Sequence, residues 1–131
     1  KYVTTYSPVP IMADESCWDA KDALRLVSER AVDLINIKLM KCGGLYEAKK
    51  IVNIAEAAGV ECMLGCMAEE SGIAINASAA LGAALSNITR ADLDASFSLK
   101  ELPFTDGFTI RDTRYLVLPE EPGLGISELK F

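Results

Sequence analysis

The stretch Leu34-Ile35-Asn36-Ile37-Lys38-Leu39-Met40, followed at once by Lys41-Cys42-Gly43-Gly44, decides how this chain is read. Strand alternation assigns Asn36, Lys38 and Met40 to one face and Ile35, Ile37 and Leu39 to the other. The apolar set belongs beneath covering helices, so Lys38 points the opposite way, toward the interior of the sheet's concave side. Gly43-Gly44 supplies a turn. Leu45, Ala48, Val52 and Ala55 then recur at helical spacing until Gly59 stops them. Strand, turn and amphipathic helix in that order make a βα unit.

The unit repeats in both directions. Upstream, residues 9–13 read as a strand, and Ser16 caps a helix with Asp19 as reciprocal partner. Ala20, Ala23, Leu24 and Val27 lie on that helix's apolar side. Downstream, residues 61–66 form a third strand and residues 71–85 a helix apolar nearly all round, hence buried. Residues 91–94 form a short fourth strand. Beyond about residue 100 the texture changes. Turn signals at Thr105-Asp106-Gly107 and over residues 119–125 surround residues 108–110 and 115–118, which predicts a β-hairpin. No low-complexity linker divides the chain, so residues 1–131 read as one domain with a C-terminal hairpin.

Consecutive βα units demand parallel strands with right-handed crossovers, which leaves a doubly wound sheet or a barrel. Lys41-Cys42-Gly43-Gly44 lacks the spacing and the third glycine of a dinucleotide turn, so the fold class is α/β of barrel type. In such a barrel the C-terminal strand ends face the active-site mouth.

Composition narrows the chemistry. The 131 residues are 50% hydrophobic and 24% charged, with net charge -6, mean hydropathy +0.21 and a pI near 4.6. That balance argues against nucleic acid or an anionic membrane as partner. No apolar run is long enough to cross a bilayer, and no signal peptide is recognisable. The chain begins with Lys1 rather than Met, which reads as a fragment. Cys17, Cys42, Cys62 and Cys66 form no C-x-x-C pair, and histidine is absent, which argues against zinc and for reduced thiols in a cytoplasmic protein. A general base here must be a carboxylate, lysine, tyrosine or cysteine.

Four strand ends carry candidates. Asp14-Glu15 closes the first strand, either as hard oxygen ligands for Mg²⁺ or as acids favouring the next helix N-terminus. Lys38, turned inward, is either a base whose pKa desolvation lowers or the partner of Asp14 in a structural ion pair. Glu69, after the third strand, either supports the site from behind or starts a helix. Asp92 and Asp94, at i and i+2 on one face, need a cation: a metal, a substrate ammonium, or Arg90 on the same face.

Pro10-Ile11-Met12-Ala13-Asp14-Glu15-Ser16, then Ile35-Asn36-Ile37-Lys38-Leu39-Met40-Lys41-Cys42-Gly43-Gly44, and Pro122-Gly123-Leu124-Gly125 at the end resemble the muconate-lactonizing subgroup of the enolase superfamily. Ala91-Asp92-Leu93-Asp94-Ala95 is similar to the segment by which its dipeptide epimerases hold a substrate α-ammonium. The resemblance implies an enolase-type (β/α)7β barrel, of which this chain is about strands five to eight. It further implies that Asp14 ligates Mg²⁺ and that Lys38 is an acid/base. Asp92 and Asp94 would bind the substrate ammonium, and Cys66 and Ala68 would line the substrate pocket. Glu15 and Glu69 would stand behind these groups, Glu69 matching the acid of the seventh-strand segment. The remaining ligands, the second lysine and a capping domain would lie upstream of Lys1. The expected parent is a magnesium-dependent dipeptide epimerase of the L-Ala-D/L-Glu type, abstracting an α-proton through an enediolate. This stretch alone would be inactive, and a homo-oligomer or association with the N-terminal half is expected. A cycloisomerase, an o-succinylbenzoate synthase or a non-catalytic fold fragment are the alternatives.

Overall fold

In the computed structural model, which describes residues 1–130, four short strands stand side by side in chain order. They are β1 (Met12–Ala13), β2 (Leu34–Ile37), β3 (Glu61–Leu64) and β4 (Ile88–Ala91), and every pair is parallel. Met12 lies opposite Leu34, Leu34 opposite Glu61, and Cys62 opposite Ile88. Parallel neighbours force a crossover after each strand. After a short opening helix, α1 (Tyr2–Tyr6), these are α2 (Ala20–Ser28), the single turn α3 (Leu39–Cys42) followed by α4 (Leu45–Ala57), and α5 (Gly72–Ala84). Among the described residues no helix is long and apolar enough to cross a membrane.

All four residues of β2 are buried, as a strand covered on both faces requires. Ile35 and Ile37 are closed off almost completely, together with Cys62 and Leu64 of β3. Against them α4 places Ala48, Ile51, Val52 and Ala55, the i, i+3, i+4, i+7 stripe of an amphipathic helix. Leu45, expected on that stripe, is exposed at the first residue of α4. On α2 only Ala23 and Leu26 are buried, three residues apart, which leaves Leu24 outside. α5 is buried along one side, through Ile75, Asn76, Ser78 and Leu81.

Several boundaries shift from the sequence reading. The first strand ends at Ala13 as expected, where Asp14 to Ser16 turn and the Cys17 amide donates to the Asp14 carbonyl, but it begins at Met12 rather than residue 9. Asp19, not Ser16, caps α2: its Oδ1 accepts from the amides of Lys21 and Asp22. The Ala20 amide, also unpaired within the helix, donates to Glu47 Oε1 of α4 at 2.9 Å. β2 ends at Ile37, and Lys38 is the extended residue before α3. Gly43 (φ 87) and Gly44 (φ 107) then end that turn in a backbone region closed to most side chains. The fourth strand is residues 88–91, so Asp92 and Asp94 lie just beyond it rather than within it.

The expected hairpin is present as β6 (Thr109–Arg111) and β7 (Tyr115–Val117), following β5 (Phe104–Asp106), which pairs antiparallel with β8 (Ile126–Leu129). Asn76 of α5 ties this ribbon down: its Nδ2 donates to the Leu124 carbonyl and its Oδ1 accepts the Phe108 amide.

Ile35, at the centre of the sheet and fully buried, sets a stability test. Ile35→Ala should cost about 2–5 kcal/mol in chemical denaturation, the range for an aliphatic core truncation, whereas Leu24→Ala on the exposed side should cost under about 0.5 kcal/mol.

Candidate active site

The C-terminal ends of β1 and β2 bring two carboxylates and two lysines together. Lys38 Nζ lies 2.9 Å from Asp14 Oδ2 and 2.9 Å from Glu15 Oε1. One helical turn on, Lys41 Nζ lies 2.9 Å from Asp14 Oδ1 and 2.5 Å from the Asp14 carbonyl. The i, i+3 spacing across α3 is what aims both ammonium groups at one carboxylate. Each Asp14 oxygen thus faces its own lysine.

The electrostatics follow from this arrangement. Burial works to raise the Asp14 pKa, but the hydrogen bonds and charges of Lys41, then of Lys38, outweigh it and hold the carboxyl below its ordinary range. Lys38 moves the other way from the sequence reading. Its hydrogen bonds to Glu15, then Asp14, raise its pKa and outweigh desolvation, so the amine is held charged. The two readings of Lys38, inward base and partner of Asp14, therefore describe one placement. Glu15 is the group that holds it from the solvent side.

At β3 and β4 the picture is looser. Cys66 Sγ donates to the Asp92 carbonyl at 3.2 Å and to Asp94 Oδ1 at 3.7 Å. Leu93 is buried while Asp92 and Asp94 are exposed, so both carboxylates do face one way, though on an extended segment beyond the strand. The Asp92 amide still donates to the Leu64 carbonyl, which carries the ladder one residue past β4. Arg90 does not neutralise the pair: its Nη1 is taken by Glu61 Oε2 at 2.5 Å. Among the described residues neither Asp92 nor Asp94 has a cationic partner. Both line an open cleft of about 490 Å³ with Phe97, Arg114 and Tyr115. Asp14 and Lys38 lie outside that lining: three strand spacings, roughly 14 Å, separate the end of β1 from that of β4, and two, roughly 10 Å, separate the end of β2 from it.

Ala68 and Glu69 are exposed, and Glu69 holds a positive φ of 59. That reversal sends the next residue inward. Glu70 is 1% exposed, with Oε2 accepting the Met67 amide at 2.7 Å and Oε1 unpartnered. The structure therefore gives the buried acid of this segment to Glu70, whereas Glu69 faces solvent. Lys41 is likewise absent from the candidates of the sequence reading, which runs the strand to Met40 and the turn to Gly43-Gly44; the helical turn α3 between β2 and the glycines is what aims it at Asp14.

The donor set suits Mg²⁺ in part. Asp14 offers an ionised hard-oxygen carboxylate at the mouth. Among the described residues no group of three His, Cys, Asp or Glu side chains could hold a metal ion. This stretch would contribute Asp14 to a shared centre.

A parallel (β/α) half-barrel with an acid–lysine pair at adjacent strand ends defines an enolase-like architecture. The family described as Enolase C-terminal domain-like matches residues 1–128, and the chain belongs to it. It is 60% identical over 127 residues to the hydrophobic dipeptide epimerase of Enterococcus faecalis, covering 97% of this chain and 36% of that protein. The solved structure of the Enterococcus faecalis dipeptide epimerase, complexed with Mg and the dipeptide L-Leu-L-Tyr, superposes with a TM-score of 0.93 at 59% identity. It covers 98% of this chain and 36% of that one. A substrate-liganded complex of the L-Ala-D/L-Glu epimerase from Bacillus subtilis gives a TM-score of 0.94 at 45% identity, covering 100% and 36%. The chain spans about a third of the length of these relatives, and its fold is the C-terminal part of their barrel.

The four cysteines are all free, and burial separates them. Desolvation pushes Cys17 up to about 11 and Cys62 up to about 12. At pH 8 only about one in 10³ and one in 10⁴ of these thiols is ionised. Titration with a thiol reagent at pH 8 should label Cys66 first and leave Cys17 and Cys62 silent until the protein is denatured.

Proposed function

We propose that the full-length protein containing this chain is a magnesium-dependent dipeptide epimerase, to which residues 1–131 contribute the C-terminal part of the barrel. The observation that carries this is the pairing of Lys38 with Asp14 on one side of the mouth and, on the other, two carboxylates, Asp92 and Asp94, that have no cationic partner among the described residues. A cyclic acid has no ammonium to offer such a pair, while a dipeptide carries one at its far end. An extended dipeptide reaches about 7 Å, and the side chains at either end cover the remaining span.

Asp14 would hold part of the Mg²⁺ centre. When bound, that ion supplies Lewis-acid stabilisation of the negative charge that builds on the substrate carboxylate as the α-proton leaves. Lys38 holds the transferable proton at Nζ. With Glu15 and Asp14 keeping it charged, its resting form is the donor that completes inversion from its side. In the reverse direction the same nitrogen, once neutral, takes the α-proton. Asp92 and Asp94 orient the dipeptide by its ammonium, and Cys66 steadies Asp94 from behind. Cys66 and Ala68 form the third side of the substrate pocket, with Glu69 at its edge. The hydrophobic dipeptides of the Enterococcus faecalis relative set the first substrates to try. The free thiols support a reducing, cytoplasmic setting. Among the described residues β1 and β4 each leave one edge unpaired, which supports association with the N-terminal half of the same protein.

In the full-length enzyme, Lys38→Ala should abolish epimerisation and confine α-deuterium uptake from solvent to one substrate enantiomer. Wild-type exchange from both enantiomers would make Lys38 structural. Asp94→Asn should lower kcat/KM for a free dipeptide by about 1.5–3 kcal/mol, the worth of a hydrogen bond to a charged group. An N-acetylated dipeptide should be a poor substrate and indifferent to the change; equal losses on both would sink the ammonium assignment.

A further inference from the structure

Lys41 is the more deeply buried of the two lysines at the mouth, its side chain 1% exposed against 13% for Lys38. An ammonium has three protons to give. Here the Asp14 carbonyl at 2.5 Å, Asp14 Oδ1 at 2.9 Å and the Asn36 carbonyl at 3.4 Å receive them. Nothing is left over for a substrate. Its contacts join the end of β1 to the end of β2 at the point where β1 is weakest, since only Met12 and Ala13 pair with the neighbouring strand. Among the described residues, the Asp14 carbonyl is held by the Cys17 amide besides Lys41. The carboxylate is divided between two lysines: Oδ1 faces buried Lys41, and Oδ2 faces Lys38, which is 13% exposed.

We propose that Lys41 is a positioning residue for the metal centre: by gripping the Asp14 carbonyl and Oδ1 together, it fixes the rotation of that carboxylate and presents Oδ2 to the mouth. The assignment rests on the metal reading of Asp14 given above. It makes a prediction whose sign separates positioning from simple charge. A cation this close to a bound dication repels it, so removing the charge alone would tighten Mg²⁺ binding. Removing a group that orients a ligand loosens it, typically 10–100-fold.

The test is calorimetric titration of the full-length enzyme with Mg²⁺ alone, alongside thermal melts of the metal-free protein. Asp14→Ala establishes the underlying reading by losing most of the affinity. Lys41→Met should weaken Mg²⁺ about 10–100-fold in protein that still melts cooperatively, and raising Mg²⁺ should recover much of its turnover. Lys41→Arg, which keeps the charge but not the compact three-way grip, should recover the affinity only in part. Unchanged or tighter Mg²⁺ binding in Lys41→Met overturns the assignment while leaving Asp14 as a ligand. Wild-type protein that binds no Mg²⁺ overturns both. If Lys41→Met does not fold, Lys41→Gln, which keeps a donor for the Asp14 carbonyl, is measured against the same outcomes. If neither folds, Lys41 is a strut of the fold and the assignment is overturned.

Discussion

Parallel pairing of four short strands is the constraint on which the rest depends. It sends every C-terminal strand end to the same rim and forces each return path through a helix on the outside. Asp14, Lys38, Cys66 and Asp92 follow β1, β2, β3 and β4 respectively, so one topological fact places them all. The ladder is stiff where it is central and thin at β1. Gly65 illustrates how tightly the middle is filled: a Cβ there would stand 2.6 Å from Asn36 Oδ1, so any larger residue would have to displace the buried Asn36 amide.

Against that frame of packing, charge does the finer work. Two lysines neutralise an acidic pair at the mouth, one exposed enough to exchange partners and the other sealed in. The same arrangement explains why burial does not depress Lys38 here. Its two carboxylate partners supply more than the lost hydration removes, which is the usual outcome when a half-buried lysine has anions within hydrogen-bond reach.

How much of this could be read from the letters varies by residue. The alternation of Ile35 and Ile37 around Asn36 and the helical stripe from Ala48 to Ala55 give the βα units directly, because burial enforces those periods. The sequence reading overruns the ends of the second, third and fourth strands by two or three residues and places that of the first correctly. At Lys38 the β-like run into Leu39-Met40 hides a helical turn that only the Gly43-Gly44 stop reveals. At Asp92-Leu93-Asp94 the alternation is real but continues past the paired backbone. Ser16 and Asp19 both suit an N-cap, and the competing turn at Asp14 decides for the second. Glu70 could not be told from Glu69 without the backbone reversal between them. The partner of Arg90 was equally illegible, since Glu61 is 29 residues away in sequence and meets it only through strand pairing.

The carboxylate that α4 lends to the first amide of α2 has a consequence for how the chain assembles. Glu47 and Ala20 are 27 residues apart, yet the start of α2 is satisfied only when both helices have docked. A nascent β1–α2 unit standing by itself leaves that amide to water, and the next unit arriving alone has a carboxylate with no partner from its neighbour beyond its own Lys50. The smallest self-consistent piece is therefore a pair of units, not one. Gene duplication or recombination that shuffled such chains would transmit them more safely by the quarter-barrel, two units at a time, than one by one.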